Sequence, residues 1–570
     1  MTRGTADAAL CALAAFAVTV AAFAPSARYE FVRIDDHEYV TENRHIERGL
    51  SLETARWALT DVGYASNWHP LAWMSHAADV SVARALGWIG EAPDGRGQAW
   101  VANGSGLAKV AHAHNVLLHG LNAALLFLVM CGVAGLRGRG KGEMWMAVAL
   151  AVVWAVHPLR CEAVCWVSER KELLSVFWML VSLAMWVCGG AGAWKWGGAL
   201  AAFALALMSK PVAVSMPAVV FACEWILKGE SFRRAALRAL PFAAMSAVAC
   251  ALTLCAQTEA LESGRDYGWP LRLECAVEAP AVYLRQTLLP TGLSPVYLRS
   301  RATDWALLAA GCAVMAAMVW IFARWFRRRE GWCGDAAFGV VWAYVALVPM
   351  LGIVKVGGMA HSDRYTYWPG CGVAVAAALL AVRAAGGRYA RSLRLWLFGL
   401  AAATGAMGLA RSAHWRDTVT LFRDTAAKSH DAEIAFELAD ELARLGGGEA
   451  MREAEAMLRE TVSANPDPKA YAALAHFLAF RSRGERMVTD PGAGAFSEAR
   501  ALAERALAAE PGNWIAHAAL TACDVRDGRW RDAVVQGEAA IRGGARDAGF
   551  LELVQECREK AARGAAEGRP

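Results

Sequence analysis

Two adjacent carboxylates are the residues of this chain whose type and placement most directly suggest chemistry. Asp35 and Asp36 lie in the segment FVRIDDHEYVTEN, a few residues beyond the first apolar run that is long enough to cross a membrane. A carboxylate can accept a proton or hold a divalent metal ion, and just outside a span a lipid-borne substrate could reach it. The pair therefore predicts an enzyme embedded in a membrane. The alternative is that both acids are solvated turn residues.

The composition predicts an integral membrane protein with a soluble C-terminal part. The 570 residues are 56% hydrophobic, include 24 tryptophans and have a mean hydropathy of +0.29. Such a chain is too apolar for an ordinary soluble protein. The net charge of +5 is small for this length, so nucleic-acid binding is not indicated. We predict an all-α protein in which residues 1–411 form a multi-span helical bundle and residues 412–570 a soluble helical domain.

Eleven apolar runs are predicted to be membrane spans. They cover residues 8–24, 112–134, 144–158, 173–190, 196–209, 212–227, 239–256, 304–324, 337–354, 368–385 and 394–411. Basic residues follow alternate groups of these runs, as in cytoplasmic loops. The pattern places the N-terminus inside, and it places the two acids and the C-terminal domain on the extracytoplasmic face. The alternative for the first run is a cleaved signal peptide, because Arg3 precedes it and small residues follow.

Two long connections are predicted on the same extracytoplasmic face. Residues 25–110 contain the amphipathic stretches SLETARWALT and HPLAWMSHAADVSVARAL, which we expect to lie as helices in the membrane interface. Residues 258–303 contain CAVEAPAVYLRQTLLPTGL, where Pro280 and Pro290 limit any helix to roughly three turns. This second connection is predicted to be an interfacial or re-entrant element.

Residues 412–570 carry a repeated pattern of helix, turn and helix. The stretch AEAMLRETVSANPDPKAYAALAHFLAF is matched by EARALAERALAAEPGNWIAHAALTACDV. Tetratricopeptide (TPR) repeats have this pattern, with a period of about 34 residues. We predict two clear repeats separated by the insertion RSRGERMVTDPGAG, with less regular helices at 415–445 and 530–561. A solenoid of such repeats presents a groove suited to a peptide or a protein.

Six motifs precede this domain in a fixed order: FVRIDDHEYVTEN, NWHPLAWMSH, HAHNVLLHGLNAALLF, HPLRCEAVCWVSERKELLS, LMSKPVAVSMP and HSDRYTYWP. Over nearly its whole length the chain resembles the transmembrane and tetratricopeptide-repeat O-mannosyltransferases and their bacterial relatives. The resemblance implies a GT-C glycosyltransferase that moves a sugar, with inversion, from a polyprenyl phosphate to an acceptor hydroxyl. The repeat domain favours a protein acceptor, and hence O-glycosylation. The implied location is a bacterial inner membrane or the endoplasmic reticulum of a eukaryote, with the repeats outside the cytoplasm.

The implied reaction gives the two acids a catalytic role. The acceptor oxygen must lose a proton as it attacks the anomeric carbon, and Asp36 or Asp35 can accept that proton. We favour Asp36, because neighbouring side chains of an extended segment point to opposite sides and only one can face the site. Because two neighbouring acids repel each other, the pKa of one rises while the other stays ionised. One of Asp35 and Asp36 could therefore be a ligand of Mg²⁺ or Mn²⁺ and the other the base.

The phosphate of the lipid donor requires cations near the membrane surface. The available cations are Arg364 in SDRYTY, Lys210 in MSKP, and Arg170 and Lys171 in SERKE. Lys210 ends a long apolar run, where a lysine is costly unless it meets an anion. Each of the four could instead be an ordinary positioning charge.

Four further residues are predicted to bind substrate. His69 and His157 each precede a proline, so they can shape turns and donate hydrogen bonds to substrate or backbone. Asp363 and Tyr365 belong to the DRYTY core shared with the family. The histidines near this face lack the spacing typical of zinc ligands.

The sequence also departs from the family's usual motifs at two positions. Arg160 stands where relatives commonly have a second histidine, and Glu224 stands where an aspartate is frequent.

The rival function is that of a non-catalytic scaffold or transporter whose repeat domain recruits partners. Against it, the charged motifs cluster on one face, whereas a transporter would need charges near the midplane. Another GT-C activity is a further alternative, and neither the sugar nor the acceptor follows from the sequence.

Overall fold

A computed structural model of the chain describes residues 3–90, 101, 105–136, 144–188, 192–256, 268–297, 303–329, 331–353, 361–384, 390–429, 431–480, 493–545 and 547–566. Every regular element in these residues is a helix, which confirms the all-α prediction. The chain divides into two compact units. Among the described residues, the larger unit ends at Asp417 and the smaller unit begins at Thr418.

The larger unit contains the apolar helices. Its longer helices are Arg3–Phe23, Leu52–Thr60, Pro70–Ala85, Gly106–Leu136, Met144–Val156, Arg170–Cys188, Ala193–Leu207, Phe232–Ala256, Trp269–Leu288, Trp305–Arg328, Trp332–Leu347, Tyr367–Ala384 and Ala390–Ser412. Among the described residues, seven helical segments are long and apolar enough to cross a membrane: Ala6–Arg28, Gly106–Gly135, Val167–Cys188, Phe232–Ala256, Trp305–Arg328, Trp332–Met350 and Asp363–Ala384. The architecture is that of an integral, multi-span membrane protein.

The number of spans differs from the predicted eleven. The seven become eight if Met144–Val156 and Pro158–Cys165, which meet at 59°, count as one span. Ala193–Leu207 has only 15 residues, about 22 Å of helix. Pro211–Leu227 is short as well, and Ala390–Ser412 carries three arginines. The prediction counted apolar runs without testing whether each forms a helix long enough to span. The predicted topology rests in part on basic residues in 137–143 and 385–389, which lie outside the described residues.

The connection 25–110 folds around a core of its own. Its two amphipathic stretches are helices, as predicted, and they span Leu52–Thr60 and Pro70–Ala85. Ser51 begins the first one, because its side chain accepts a hydrogen bond from the Thr54 amide. The buried rings of Tyr39 and Trp73 lie in the core, with centroids 4.5 Å apart. The location of these helices in the membrane interface stays a prediction.

The helix in the second connection is longer than predicted. It runs from Trp269 to Leu288 and passes through Pro280, so the limit of roughly three turns was wrong. A proline inside a helix removes one backbone hydrogen bond but need not end the helix when packing holds both sides. Pro280 is buried, and Ala276 and Tyr283 pack in the same apolar cluster. Residues 257–267 and 298–302 of this connection lie outside the described residues.

The smaller unit consists of stacked helical hairpins. Its helices are Thr418–Ala426, Ala432–Leu445, Gly448–Ala464, Pro468–Phe480, Ala493–Ala509, Trp514–Arg526, Trp530–Gly543 and Ala548–Ala566. Pro468–Phe480 packs against its hairpin partner Ala493–Ala509 and also against the first helices of the hairpins before and after it. This arrangement agrees with a helical repeat architecture, while the TPR assignment stays a prediction. Most of the predicted insertion, residues 481–492, lies outside the described residues.

Candidate functional site

A bend in the chain brings charged residues together at one end of the spans. The helix Met144–Val156 stops at His157, and the following segment leaves at 59°. His157 supports this turn, because its Nδ1 atom accepts a hydrogen bond of 3.3 Å from the Leu159 amide. Its Nε2 atom lies 3.1 Å from the Thr287 carbonyl oxygen. Both ring nitrogens are therefore engaged with the backbone, and a contact with substrate would have to replace one of these bonds.

A network of ion pairs, which we call the ionic cluster, follows the bend. Its members are Glu162, Glu169, Lys171, Glu172, Lys210 and Arg364. Glu169 is at its centre, with Oε2 at 2.8 Å from Lys210 Nζ and Oε1 at 3.6 Å from Lys171 Nζ. The same Oε1 atom is 3.3 Å from Arg364 Nε. One buried carboxylate thus joins three of the four cations that the sequence indicated for the donor phosphate.

Two more carboxylates complete the ionic cluster. Glu172 Oε2 lies 2.9 Å from Lys210 Nζ. Glu162 accepts hydrogen bonds from the Arg364 guanidinium, from the Arg364 amide at 3.1 Å and from Ser362 Oγ at 2.7 Å. No role was predicted for Glu162, Glu169 or Glu172. For Glu169 and Glu172 a signal was present in SERKE, where a glutamate stands on each side of two cations, because buried cations need carboxylate partners.

Asp36 is held in place by the backbone. It is fully buried, and its Oδ2 atom accepts a hydrogen bond of 3.0 Å from the Val32 amide. Its Oδ1 atom accepts bonds from both the amide and the hydroxyl of Ser168. Burial raises the pKa of Asp36 to about 6, although these hydrogen bonds act in the opposite direction. The carboxylate ties the segment before it to the segment that carries Glu169.

Asp35 is the more accessible of the two acids. Its side chain is 35% exposed, and its Oδ2 atom lies 3.6 Å from Lys171 Nζ. Lys171 in turn lies 4.2 Å from the centroid of the Tyr39 ring and 3.6 Å from Glu169. Asp35 therefore stands at the edge of the ionic cluster, with one cation beside it and part of its surface open.

The two aspartates do not fit a shared divalent metal ion. Both oxygens of Asp36 already accept hydrogen bonds from N–H and O–H groups, and Asp35 faces an ammonium group. A metal ion needs oxygens that converge without competing donors. Within the described residues no group of three or more His, Cys, Asp or Glu side chains is arranged to hold a metal ion. We therefore derive no step through a metal.

Arg170 takes no part in the ionic cluster. It is fully buried, and its guanidinium has five N–H groups. Four acceptors surround it: Asn115 Oδ1, Ser75 Oγ at 2.8 Å, Asp79 Oδ2 at 2.9 Å and the Ala111 carbonyl at 2.7 Å. His114 Nδ1 lies 2.7 Å from the guanidinium and 2.7 Å from Asp79 Oδ1. These groups enclose the guanidinium and keep it from a phosphate. Arg170 therefore joins the start of its own helix, Arg170–Cys188, to the helices Pro70–Ala85 and Gly106–Leu136.

His69 lies beside the ionic cluster. The amide of Leu71 donates a hydrogen bond of 3.1 Å to the Met208 carbonyl, which ties this turn to the one before Lys210. Burial and then the charges of Lys171 and Lys210 hold the pKa of His69 well below its usual range. Its buried Nδ1 atom has no hydrogen-bond partner in the described part of the chain. A neutral imidazole with a free nitrogen can hydrogen-bond to a substrate.

Asp363 and Tyr365 flank Arg364 but have different surroundings. Asp363 is buried and accepts a hydrogen bond of 2.5 Å from the Tyr297 hydroxyl. Tyr365 packs against the apolar cluster that contains Tyr283 and Leu347, and Arg364 lies 5.1 Å from the centroid of its ring. Both residues therefore position the turn that carries Arg364.

Arg160 and Glu224, the two residues that differ from the family's usual motifs, both form hydrogen bonds with other side chains. Arg160 donates hydrogen bonds to the carbonyl and hydroxyl oxygens of Thr366, at 3.0 and 2.7 Å. Glu224 is buried, and Trp186, Lys228 and Arg238 all donate to it. Arg160 joins the turn after the bend to the Asp363–Thr366 turn, whereas Glu224 lies on a different turn from the ionic cluster.

Comparisons with known proteins add no identification. No protein-family model matches the chain, and a search of curated proteins finds no significant match. The site must therefore be interpreted from its own geometry.

Proposed function

We propose that this protein is a membrane glycosyltransferase that moves a sugar from a polyprenyl-phosphate donor to an acceptor hydroxyl, with inversion. The observation that carries the proposal is the placement of Asp35. It is a partly exposed carboxylate beside Lys171, at the edge of a buried ionic cluster and at the end of membrane-length helices. The six-motif resemblance suggests the reaction class, and the proposal is supported by a partly exposed carboxylate and several cations in one place.

Asp35 acts as the general base in this proposal. It accepts the proton of the acceptor hydroxyl while the oxygen attacks the anomeric carbon, and the lipid phosphate leaves from the opposite face of the sugar. Asp36, whose oxygens are bound by Val32 and Ser168, positions Asp35 by fixing the chain beside it. This division of roles differs from the preference for Asp36 that the sequence suggested, because an extended backbone was assumed where the chain turns tightly into the short helix His37–Thr41.

Lys171 and Arg364 are the cations best placed for the donor phosphate. Lys171 lies 3.6 Å from both Asp35 and Glu169, and the Arg364 Nε atom lies 3.3 Å from Glu169. Lys210, in contrast, is held by two carboxylates at 2.8 and 2.9 Å. A phosphate that approaches Lys171 and Arg364 would share these cations with Glu169, while Lys210 continues to balance that carboxylate. The planar guanidinium of Arg364 suits two phosphate oxygens, whereas Lys171 provides a point charge.

The acceptor in this proposal is a Ser or Thr side chain of a protein, which the repeat-like smaller unit would recruit. The first helices of its hairpins place partly exposed aromatic side chains, Phe436, His476 and Phe480, near one another. Such a surface suits an extended peptide. Sugar identity is left to experiment.

A direct assay tests the proposal. The purified full chain would be incubated with radiolabelled polyprenyl-phosphate sugars, beginning with mannose, and with a Ser/Thr-rich acceptor peptide. We expect sugar transfer with one of the donors and an inverted anomeric configuration in the product by NMR. If the protein neither binds nor consumes any donor lipid, the scaffold or transporter interpretation replaces the enzyme.

A further inference from the structure

Four arginines surround the turn between two candidate spans. We call Arg324, Arg327, Arg328 and Arg329 the arginine turn, because they end the helix Trp305–Arg328 just before Trp332–Leu347 begins. Arg329 ends the helix in the left-handed conformation, with φ of 54°. The helix Trp305–Arg328 and the segment Trp332–Met350 are long and apolar enough to cross a membrane, so this turn lies at a membrane boundary.

Aromatic rings hold two of the arginines. The guanidinium carbon of Arg329 lies 4.8 Å from the centroids of both Trp325 and Phe326 and 5.2 Å from that of Trp225. These distances are in the range of cation–π contacts. The guanidinium of Arg324 is similarly placed between Trp320 and Trp332, at 5.6 and 5.9 Å. Stacking on rings fixes the plane of each guanidinium and leaves N–H groups at its edge for an anion.

Among the described residues, which exclude the adjacent Glu330, the arginine turn differs from its neighbour in having no acidic partner. In the described part of the chain, none of the four arginines forms an ion pair with a carboxylate. The neighbouring turn, joined through the contact of Trp225 with Trp325, pairs Lys228 and Arg238 with the buried Glu224. The Nε atom of Arg324 is buried and has no acceptor among the described residues. The exposed side chains of Arg327, Arg328 and Arg329 can donate to an external anion.

We propose that the arginine turn binds the anionic headgroup of a phospholipid. Guanidinium groups recognise phosphate oxygens in pairs, and clustered arginines at the end of a span attract anionic lipids. The rings explain why the ligand is a lipid and not a soluble anion. Trp320 and Phe326 are 55% and 52% exposed, and they offer an apolar surface on which acyl chains can lie beside the headgroup. This site is independent of the proposed glycosyl transfer.

Lipid binding to the purified full chain tests the proposal. The delipidated protein would be titrated with phosphatidylglycerol and, separately, with phosphatidylcholine of the same acyl chains, and bound lipid would be counted by native mass spectrometry. We expect saturable binding of phosphatidylglycerol that is about tenfold tighter than that of phosphatidylcholine. Arg324→Gln combined with Arg329→Gln should remove most of this preference.

Two further variants keep the test decisive. Arg233→Gln with Arg234→Gln removes two exposed charges from the neighbouring turn, where Arg234 is paired with Glu230, and should leave the preference unchanged. Arg327→Gln with Arg328→Gln alters only exposed side chains, so it should weaken anionic lipid binding without affecting folding. Equal binding of the two lipids by the wild type, or an undiminished preference in both arginine-turn variants, would overturn the proposal and leave these arginines as determinants of topology.

Discussion

Lys210 in the ionic cluster and Arg329 in the arginine turn are both cations at the ends of apolar helices, yet their partners differ. Lys210 is 10% exposed at its side chain and lies 2.8 Å from Glu169 and 2.9 Å from Glu172. Arg329 is exposed, and its contacts among the described residues are with three aromatic rings. A buried charge without a counterion costs several kcal/mol, whereas an exposed one keeps its hydration. Burial therefore decides which cations must be paired within the chain.

The two regions lie at opposite ends of one helix. Trp332–Leu347 begins at the arginine turn and ends where Leu347 packs with Tyr365, next to Arg364 of the ionic cluster. Its 16 residues correspond to about 24 Å of helix. Buried carboxylates balance the cations at the ionic end, and among the described residues there the least compensated group is Asp35, which lies 3.6 Å from Lys171. The proposed reaction therefore uses Asp35 as its base.

The largest expected effect is on turnover. Asp35→Asn keeps the size of the side chain and removes the base, so sugar transfer should fall by roughly two to four orders of magnitude with donor binding near wild type. Glu53→Gln is the control, because this acid belongs to the same connection and is 83% exposed at its side chain. If a folded Asp36→Asn variant loses transfer while Asp35→Asn retains it, the base is Asp36, as the sequence analysis preferred.

The next effect concerns the stability of the ionic cluster. Lys210→Met leaves Glu169 and Glu172 without their closest cation, so the free energy of unfolding should fall by about 3–5 kcal/mol. Denaturant unfolding of the purified protein in detergent measures this change. Adding Glu172→Gln to the variant should restore part of the loss, because one unpaired carboxylate is then removed. Unfolding that matches the wild type in the Lys210→Met variant would show that the cluster contributes little.

The sequence predicted the helices well because their signal is local. Each of the eleven apolar runs contains a helix, and the amphipathic stretch beginning at Ser51 is a capped helix. Apolarity at every position, or at a helical period, depends only on neighbours in the chain. The number of spans was harder, because length and breaks within a helix decide whether an apolar run can cross a bilayer.

The candidate site was only partly predictable because its contacts are long-range. The motifs named Lys171, Lys210 and Arg364, which the structure brings to one carboxylate, Glu169. Nothing local in the sequence indicated that Ser168 would bind Asp36, 132 positions earlier in the chain. The same limit applied to Arg170, whose hydrogen-bond partners come from two other helices, Pro70–Ala85 and Gly106–Leu136. Arg170 and Lys171, which are adjacent in SERKE, therefore belong to different hydrogen-bond networks.

The pH dependence of stability distinguishes Asp36 from the paired acids. Its pKa is raised to about 6, so between about pH 4 and pH 6 the folded state binds a proton that the unfolded state releases. Wild-type stability relative to Asp36→Asn should therefore increase by about 2–3 kcal/mol as the pH falls from 7 to 4. Unfolding curves of both proteins across this range measure the difference. A difference that is constant with pH would mean that Asp36 keeps an ordinary pKa.

The smallest effect is expected at the arginine turn. Arg329→Gln removes an exposed cation that contacts aromatic rings and pairs with no carboxylate among the described residues, so the free energy of unfolding in neutral detergent should change by less than about 1 kcal/mol. Arg238→Gln on the neighbouring turn should cost more, because it removes a donor from the buried Glu224. Unfolding of both variants under one condition makes the comparison direct. If Arg329→Gln is as destabilising as Lys210→Met, this arginine is a structural element of the turn, and the contrast between a compensated and an available cation no longer holds.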